Sequence, residues 1–349
     1  MIRKALSIPL QKFFSKGFLK PLKAVRLSTL LAHCPSQSIM KIIFFCPPVS
    51  VINGGIKHIF RMAECLRALG YNAFVFEQNQ QRPSWFVSTA PIVGQGIFQP
   101  DANQVYVLPE DQPNILANFK EFPQRKVIYS QNHFYGALGI EKANSYSDYG
   151  ITHILCSSKT IYDHCQKRHP SLKSYVIPCA VDGTLYKPSP FKSKAIAFMP
   201  RKRAIEAVYI RDMFRFYYPQ HQDWEWLEIS NLTESDVAST MARSKVFLSL
   251  SRLEGFGLTP LEAMASGCVV AGFTGIGGQE YANNQNGFWA NEDDFPTCIS
   301  QLNKAILLSQ SSATDLILYQ DACAKALTLY TRQTFQHAIK TAWQDILSI

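Results

Sequence analysis

KIIFFCPPVSVINGGIKHIFRMAECLRALGYNAFVFE, residues 41–77, is the stretch that decides the fold. It opens on a short apolar run ended by Pro47 and Pro48, which has the length and composition of a buried strand. Gly54 and Gly55 then precede a helical pattern with apolar residues at Ile56, Ile59, Phe60, Met62, Ala63 and Leu66, closed by Gly70. NAFVFE follows as a second strand.

Strand, glycine turn, helix and strand in that order form a half-Rossmann unit. Glycine leaves the backbone N–H groups at the helix start sterically open, which suits them to phosphate. The alternation continues downstream. RKVIYSQNHF (125–134) and ITHILCSS (151–158) look like strands ending in polar residues, where α/β folds place ligand-facing loops. KTIYDHCQKRH, after Ser157 and Ser158, is a serine-capped helix, and SYVIPCAVD (174–182) is a strand and turn. The Pro-, Gly- and Ser-containing segment 183–193 marks a domain boundary. A second set follows, with strands in AIAFMP (195–200), WEWLEIS (224–230), KVFLSLS (245–251) and CVVAGF (268–273).

At 349 residues the chain exceeds what one core usually holds. The expectation is α/β, with two Rossmann-like domains of parallel strands facing a central cleft: 40–185 on the acceptor side and 186–330 on the donor side. An amphipathic helix in 331–349 closes the fold, and 1–39 is a basic extension. Segment 78–124, rich in Gln, Asn and Pro, looks like a long insert suited to acceptor contacts.

Composition narrows the function classes. With 47% hydrophobic and 17% charged residues the chain is globular rather than disordered. Nine cysteines without a C-x-x-C pair fit buried thiols in a reducing compartment and no zinc site. No apolar run approaches the roughly 20 residues that span a bilayer. The expected location is therefore cytoplasmic, with possible association at the membrane's cytoplasmic face. Of the net charge of +9, residues 1–39 carry +7 and no acid, so the body is nearly neutral and nucleic acid is not an expected partner. The extension has three readings: amphipathic pieces at an anionic membrane surface, an organelle presequence, or a disordered or mis-started leader.

EGFGLTPLE (254–262) carries the chemistry. Thr259, Pro260 and Glu262 have the grammar of a helix start, with threonine as cap, proline at the first helical position and glutamate closing a capping box. On that reading Glu262 is structural. Glu254 ends a strand and precedes Gly255-Phe256-Gly257, whose small residues admit a ligand to the backbone, beside the positive end of the next helix. That is an anion site flanked by an acceptor for sugar hydroxyls. The later TGIGG loop (274–278) is a second phosphate-facing candidate but a poor dinucleotide fingerprint.

SRLEGFGLTPLEAMASGCVVAG resembles the E-x7-E motif of GT-B retaining glycosyltransferases, the group 1 or GT4-like family. VIPCAVDGTLYKP, PPVSVINGGIKHIF and GGQEYANNQNGF are similar to other elements of that family, so the resemblance spans residue 41 to the end. It implies transfer of a sugar from a UDP- or GDP-type nucleotide sugar, with retention and without metal or other cofactor, to a saccharide, lipid-linked or other acceptor. By similarity Glu254 binds the donor sugar and Glu262 the ribose. Backbone groups of Phe256, Gly257 and Leu258, with Thr259, approach sugar and phosphate; Gly54 and Gly55 lie near the diphosphate, and His133 lines the donor-sugar side. The family's cation pair maps onto Arg201 and, since Glu206 stands where a lysine is usual, Lys202. Cys179 and Ala180 also depart from the pattern. The competing readings are a non-catalytic scaffold subunit and a GT-B nucleotide-sugar epimerase.

Overall fold

A computed structural model describes residues 40–140 and 144–348. The readings of residues 1–39 lie outside them. Two sheets, each entirely parallel, organise the chain. The first contains β1 (Lys41–Phe45), β2 (Asn72–Phe76), β3 (Ile92–Val93), β4 (Gln104–Pro109), β5 (Arg125–Ser130), β6 (Ile151–Cys156) and β7 (Lys173–Val176), in the order β3-β2-β1-β4-β5-β6-β7. The second contains β8 (Ser193–Phe198), β9 (Glu225–Glu228), β10 (Ser244–Ser251), β11 (Val269–Thr274) and β12 (Phe288–Ala290), in the order β12-β11-β10-β8-β9.

Because parallel strands are joined by helical crossovers, both faces of each sheet are covered. In β1, Ile42 and Phe44 enter one core while Ile43 and Phe45 enter another on the opposite face, as strand alternation requires. The first of these cores receives α1 (Gly54–Ala68), whose predicted apolar stripe is buried at all six positions. The second receives α2 (Pro113–Phe119). The helices that follow in the chain are α3 (His133–Gly139), α4 (Lys159–Arg168), α5 (Ala204–Tyr217), α6 (Glu234–Arg243), α7 (Leu258–Ala265), α8 (Phe295–Ser309) and α9 (Ala313–Leu327).

Segment 78–124 is not a loop-like insert. It supplies β4, whose six residues are all buried between β1 and β5, together with β3 and α2. QVYVLP is flanked by Pro100, Asp101 and Asn103 on one side and Glu110 and Asp111 on the other, so turn chemistry masked it. Its buried Gln104 is satisfied by the Tyr106 hydroxyl at 2.8 Å and by the Gln99 carbonyl at 2.9 Å. The eight described cysteines are free thiols, seven of them buried.

The last helix, α10 (Arg332–Leu347), starts at a Thr331 cap and returns to the first domain. Phe335, Ile339, Ala342, Trp343 and Ile346 join the core built on Phe44 and α1. Trp343 is fully buried, its ring 6.2 Å from that of Phe44. Trp343→Ala should therefore cost about 3–5 kcal/mol, read as a lowered urea midpoint. A change below about 1 kcal/mol would show that this helix is dispensable to the first domain's core.

Candidate active site

Strand order reverses between β1 and β4 in the first sheet and between β8 and β10 in the second. Ligands of open α/β sheets bind outside the strands' carboxyl ends at such points. Gly54 and Gly55 follow β1, Arg201 and Lys202 follow β8, and Glu254 follows β10. These five predicted residues lie on three of the four switch-point loops, Glu110 after β4 lies on the fourth, and His133 follows β5, one strand further along the first sheet.

The loop after β10 touches the turns after β5 and β6 across the domain interface. Asn132 Nδ2 donates to the Leu253 carbonyl at 2.8 Å, and Ser158 Oγ to the Gly255 carbonyl at 2.7 Å. Glu280 accepts the Thr160 amide and so serves the start of α4 from the other domain. A Cβ on Gly255 would stand 2.3 Å from the Gln131 carbonyl oxygen, so this glycine is what lets the two backbones meet.

Glu254 pairs with Lys202 at 2.9 Å, both side chains mostly buried. Burial pulls the Lys202 ammonium below its usual range, and the Glu254 carboxylate opposes that shift. Leu253, immediately before, has φ 49°, a left-handed conformation that a branched side chain rarely adopts. Its carbonyl is held by Asn132 and, at 3.4 Å, by Lys202. Arg201 is exposed. The third basic residue of MPRKR, Arg203, is fully buried against Glu292 and Asp293 and lies 4.4 Å from the Phe273 ring centroid, so it is structural. Glu206 accepts from Arg252 at 2.8 Å. The departure at Glu206 thus supplies an ion-pair partner for Arg252, two residues before Glu254 in the chain, which the reading of the sequence missed.

The capping box at Thr259 does not form. The cap of α7 is Gly257, with φ 82° and no side-chain cap bond, which puts Pro260 in the third helical position. Tyr281 donates its hydroxyl to the Gly257 carbonyl. Glu262 is 5% exposed and binds Lys57 Nζ at 3.0 Å, while the same ammonium reaches Glu234, also at 3.0 Å. Burial alone would lower the Lys57 pKa, but Glu262 and Glu234 outweigh it and hold the group above its usual value. Arg61 shares Glu234 at 2.9 Å. Cys179 lies within reach of this cluster, its thiol pushed up to about 12 by burial, with Lys57 opposing and Glu262 adding.

The remaining residues divide by side-chain role. The Phe256 ring is buried against Tyr281 and Tyr330, so only its backbone faces the loop. Leu258 and Thr259 form the first turn of α7, partly exposed. Asn53 caps α1 by accepting from the Gly55 amide at 2.9 Å, and a Cβ on Gly55 would collide with Gln131 Oε1 at 2.2 Å. His133 opens α3; burial, then the nearby His164, lowers its pKa, and its Nδ1 has no hydrogen-bond partner. Among the described residues no cluster of three or more His, Cys, Asp and Glu side chains is arranged for a metal.

Two predictions follow from the buried charges. Lys57→Ala strands Glu262 next to an apolar core and should cost about 3–5 kcal/mol, measured by denaturant unfolding; a neutral result would mean that the bridge is not held in solution. Glu110 is the second case, its carboxyl pushed up to about 8 by burial and then by Asp111. Below its ordinary value of 4.5 both folded and unfolded states hold the proton. Between there and about 8 the native state alone keeps it, so stability falls as pH rises. Glu110→Gln should flatten that slope; an unchanged slope would place the titration elsewhere.

Comparison with known proteins agrees with this fold. Residues 228–319 match the family described as glycosyl transferases group 1. An α-1,6-glucosyltransferase of Actinobacillus pleuropneumoniae serotype 7 is 26% identical over 286 residues, 76% of this chain and 83% of the relative. In structure the chain is similar to a sucrose-phosphate synthase from Thermosynechococcus elongatus (TM-score 0.64, 12% identity, 88% of this chain and 99% of that one). It is also similar to Anabaena HepE in complex with UDP and glucose (TM-score 0.60, 14% identity, 88% and 100%). The paired parallel sheets give the chain the GT-B fold of these neighbours, and its residues 228–319, which hold the E-x7-E loop, match the group 1 glycosyl transferases.

Proposed function

We propose that the protein moves a hexosyl group from a UDP- or GDP-type nucleotide sugar to a saccharide or lipid-linked acceptor, with retention of anomeric configuration and without a divalent ion. The observation that carries this reading is the placement of Glu254 at the second sheet's switch point and of Glu262 in the helix that follows, where it pairs with Lys57 of the helix opened by Gly54 and Gly55. The curated relative is named for glucosyl transfer and the Anabaena protein was solved with UDP and glucose, which supports a UDP-glucose-like donor. A role in polysaccharide or glycoconjugate synthesis fits the same relatives. Among the described residues no helix is long and apolar enough to cross a membrane.

In this mechanism Glu254 accepts hydrogen bonds from donor-sugar hydroxyls. Glu262 uses acceptor capacity left over from Lys57 for the ribose, since a carboxylate has about four lone-pair sites. The open amides at Gly257 and Leu258 and the positive end of α7 face phosphate, and the Gly54–Gly55 turn closes on the diphosphate from the other side. Arg201 and Lys202 neutralise charge on the departing nucleotide, taking the part a metal plays elsewhere. His133, kept neutral by burial, is a hydrogen-bonding group on the sugar side rather than a cation.

Transfer assays with a panel of nucleotide sugars test this. Glu254→Ala should abolish turnover with the fold intact, and removing Arg201 and Lys202 together should lower kcat on the order of 10²–10³-fold. The product should keep the donor's anomeric configuration by NMR, and chelator should leave the rate unchanged. Undiminished turnover in Glu254→Ala, or an inverted product, would refute the reading.

A further inference from the structure

We infer that Glu110 is a positioning residue for transfer: through the turn Gln131–Asn132 it sets the spacing between the Gly55 loop of one domain and the Glu254 loop of the other. The inference rests on the proposed transfer reaction for its kinetic consequence, though not for its geometry.

Glu110 follows β4 at the first sheet's switch point and is 5% exposed. Its Oε1 accepts the backbone N–H of both Gln131 and Asn132 at 2.9 Å. The two side chains of that turn point to different loops. Gln131 Nε2 donates to the Gly55 carbonyl at 3.0 Å, while its Oε1 fills the space that a side chain on Gly55 would need. Asn132 Nδ2 donates to the Leu253 carbonyl at 2.8 Å, and its Oδ1 accepts the Phe134 amide at 3.1 Å, which fixes the start of the helix carrying His133. One buried carboxyl oxygen therefore locates residues on three loops.

Two further observations make this more than packing. Leu253 holds a left-handed backbone next to Glu254, and such strain, on the order of 1–3 kcal/mol, persists only where neighbours enforce it; Asn132 is one of the two groups that do. The acid itself is also immobile: the Tyr146 hydroxyl donates to its backbone carbonyl at 3.1 Å, and Gly139 passes so close that a Cβ there would lie 1.8 Å from that oxygen. A solvent molecule could satisfy two turn amides without the desolvation cost of an acid. What an acid fixed to β4 adds is a rigid distance from the sheet to the turn.

The groups whose charge reaches Glu110 are Asp111, Tyr129, Tyr135, Tyr146 and Cys156. Burial and then Asp111 push the carboxyl up to about 8 and none of these groups is a cation, so a neutral amide is a fitting replacement. Glu110→Gln should then preserve the turn, whereas Glu110→Ala releases it.

The test uses the full chain with UDP-glucose, or whichever nucleotide sugar supports transfer. Glu110→Ala should lower kcat on the order of 10²-fold, as misplacement by about 1 Å does, with UDP affinity by calorimetry nearly unchanged. Glu110→Gln should retain most of the wild-type kcat at pH 7 and extend activity to higher pH. Asn132→Ala, which removes the reach to Leu253 together with the cap on the Phe134 amide while leaving Glu110 in place, should also lower kcat and serves if Glu110→Ala does not fold. Amide exchange at residues 253–257 without ligand should rise in Glu110→Ala and Asn132→Ala but not in Glu110→Gln. Wild-type-like kcat and exchange in both the Ala variants, or equal damage in Gln and Ala at Glu110, would overturn the inference. A wild-type protein that transfers no sugar and binds no UDP would instead refute the proposed reaction, and the exchange measurement would still decide the role of Glu110.

Discussion

Lys57 carries its charge into the contact between two sheets, where Glu234 and Glu262 of the other domain compensate it. A buried ammonium without partners costs several kcal/mol, so the two domains are bound to one another at this point or one of them changes its charge. The rest of the interface is consistent with close approach. Gly255 has no room for a side chain against Gln131; Asn132 and Ser158 donate to carbonyls across the gap, and Glu280 completes the start of α4. Glu262 is thus an ionic partner of the opposite domain, and under the proposed function a donor's ribose would share it with Lys57.

The topology explains why these residues meet. Each sheet reverses its strand order once, and the four loops at the two reversals hold Gly54 and Gly55, Glu110, Arg201 and Lys202, and Glu254. The topology thereby brings glycines, carboxylates and cations from separate parts of the sequence to the carboxyl ends of the two sheets. The α10 helix adds to this arrangement: it belongs to the core of the first domain although it follows the second in the chain, so the polypeptide crosses the interface twice.

What could be read from the residues depended on whether the cause was local. The α1 stripe and most strands show period and length in plain view, and Glu254 shows its place at a strand end. β4 did not, because its six residues sit between proline-, aspartate- and asparagine-rich flanks that have the composition of loops, and its burial is set by β1 and β5. The Thr259 cap was a sound local inference that lost to Gly257, whose left-handed backbone starts the helix two residues earlier. Lys57 left no signal at all, since its partner Glu262 lies 205 residues away. Glu110 was hidden for the same reason.

The central claim is that two carboxylates eight residues apart recognise opposite ends of one donor, and a calorimetric comparison of UDP with UDP-glucose tests it most directly. Glu262→Ala should weaken both ligands by a similar factor, because the ribose is common to them. Glu254→Ala should weaken UDP-glucose and leave UDP nearly unaffected, because only the sugar is read there. Equal losses for both ligands in the Glu254 variant, or no loss of either in the Glu262 variant, would contradict the assignment.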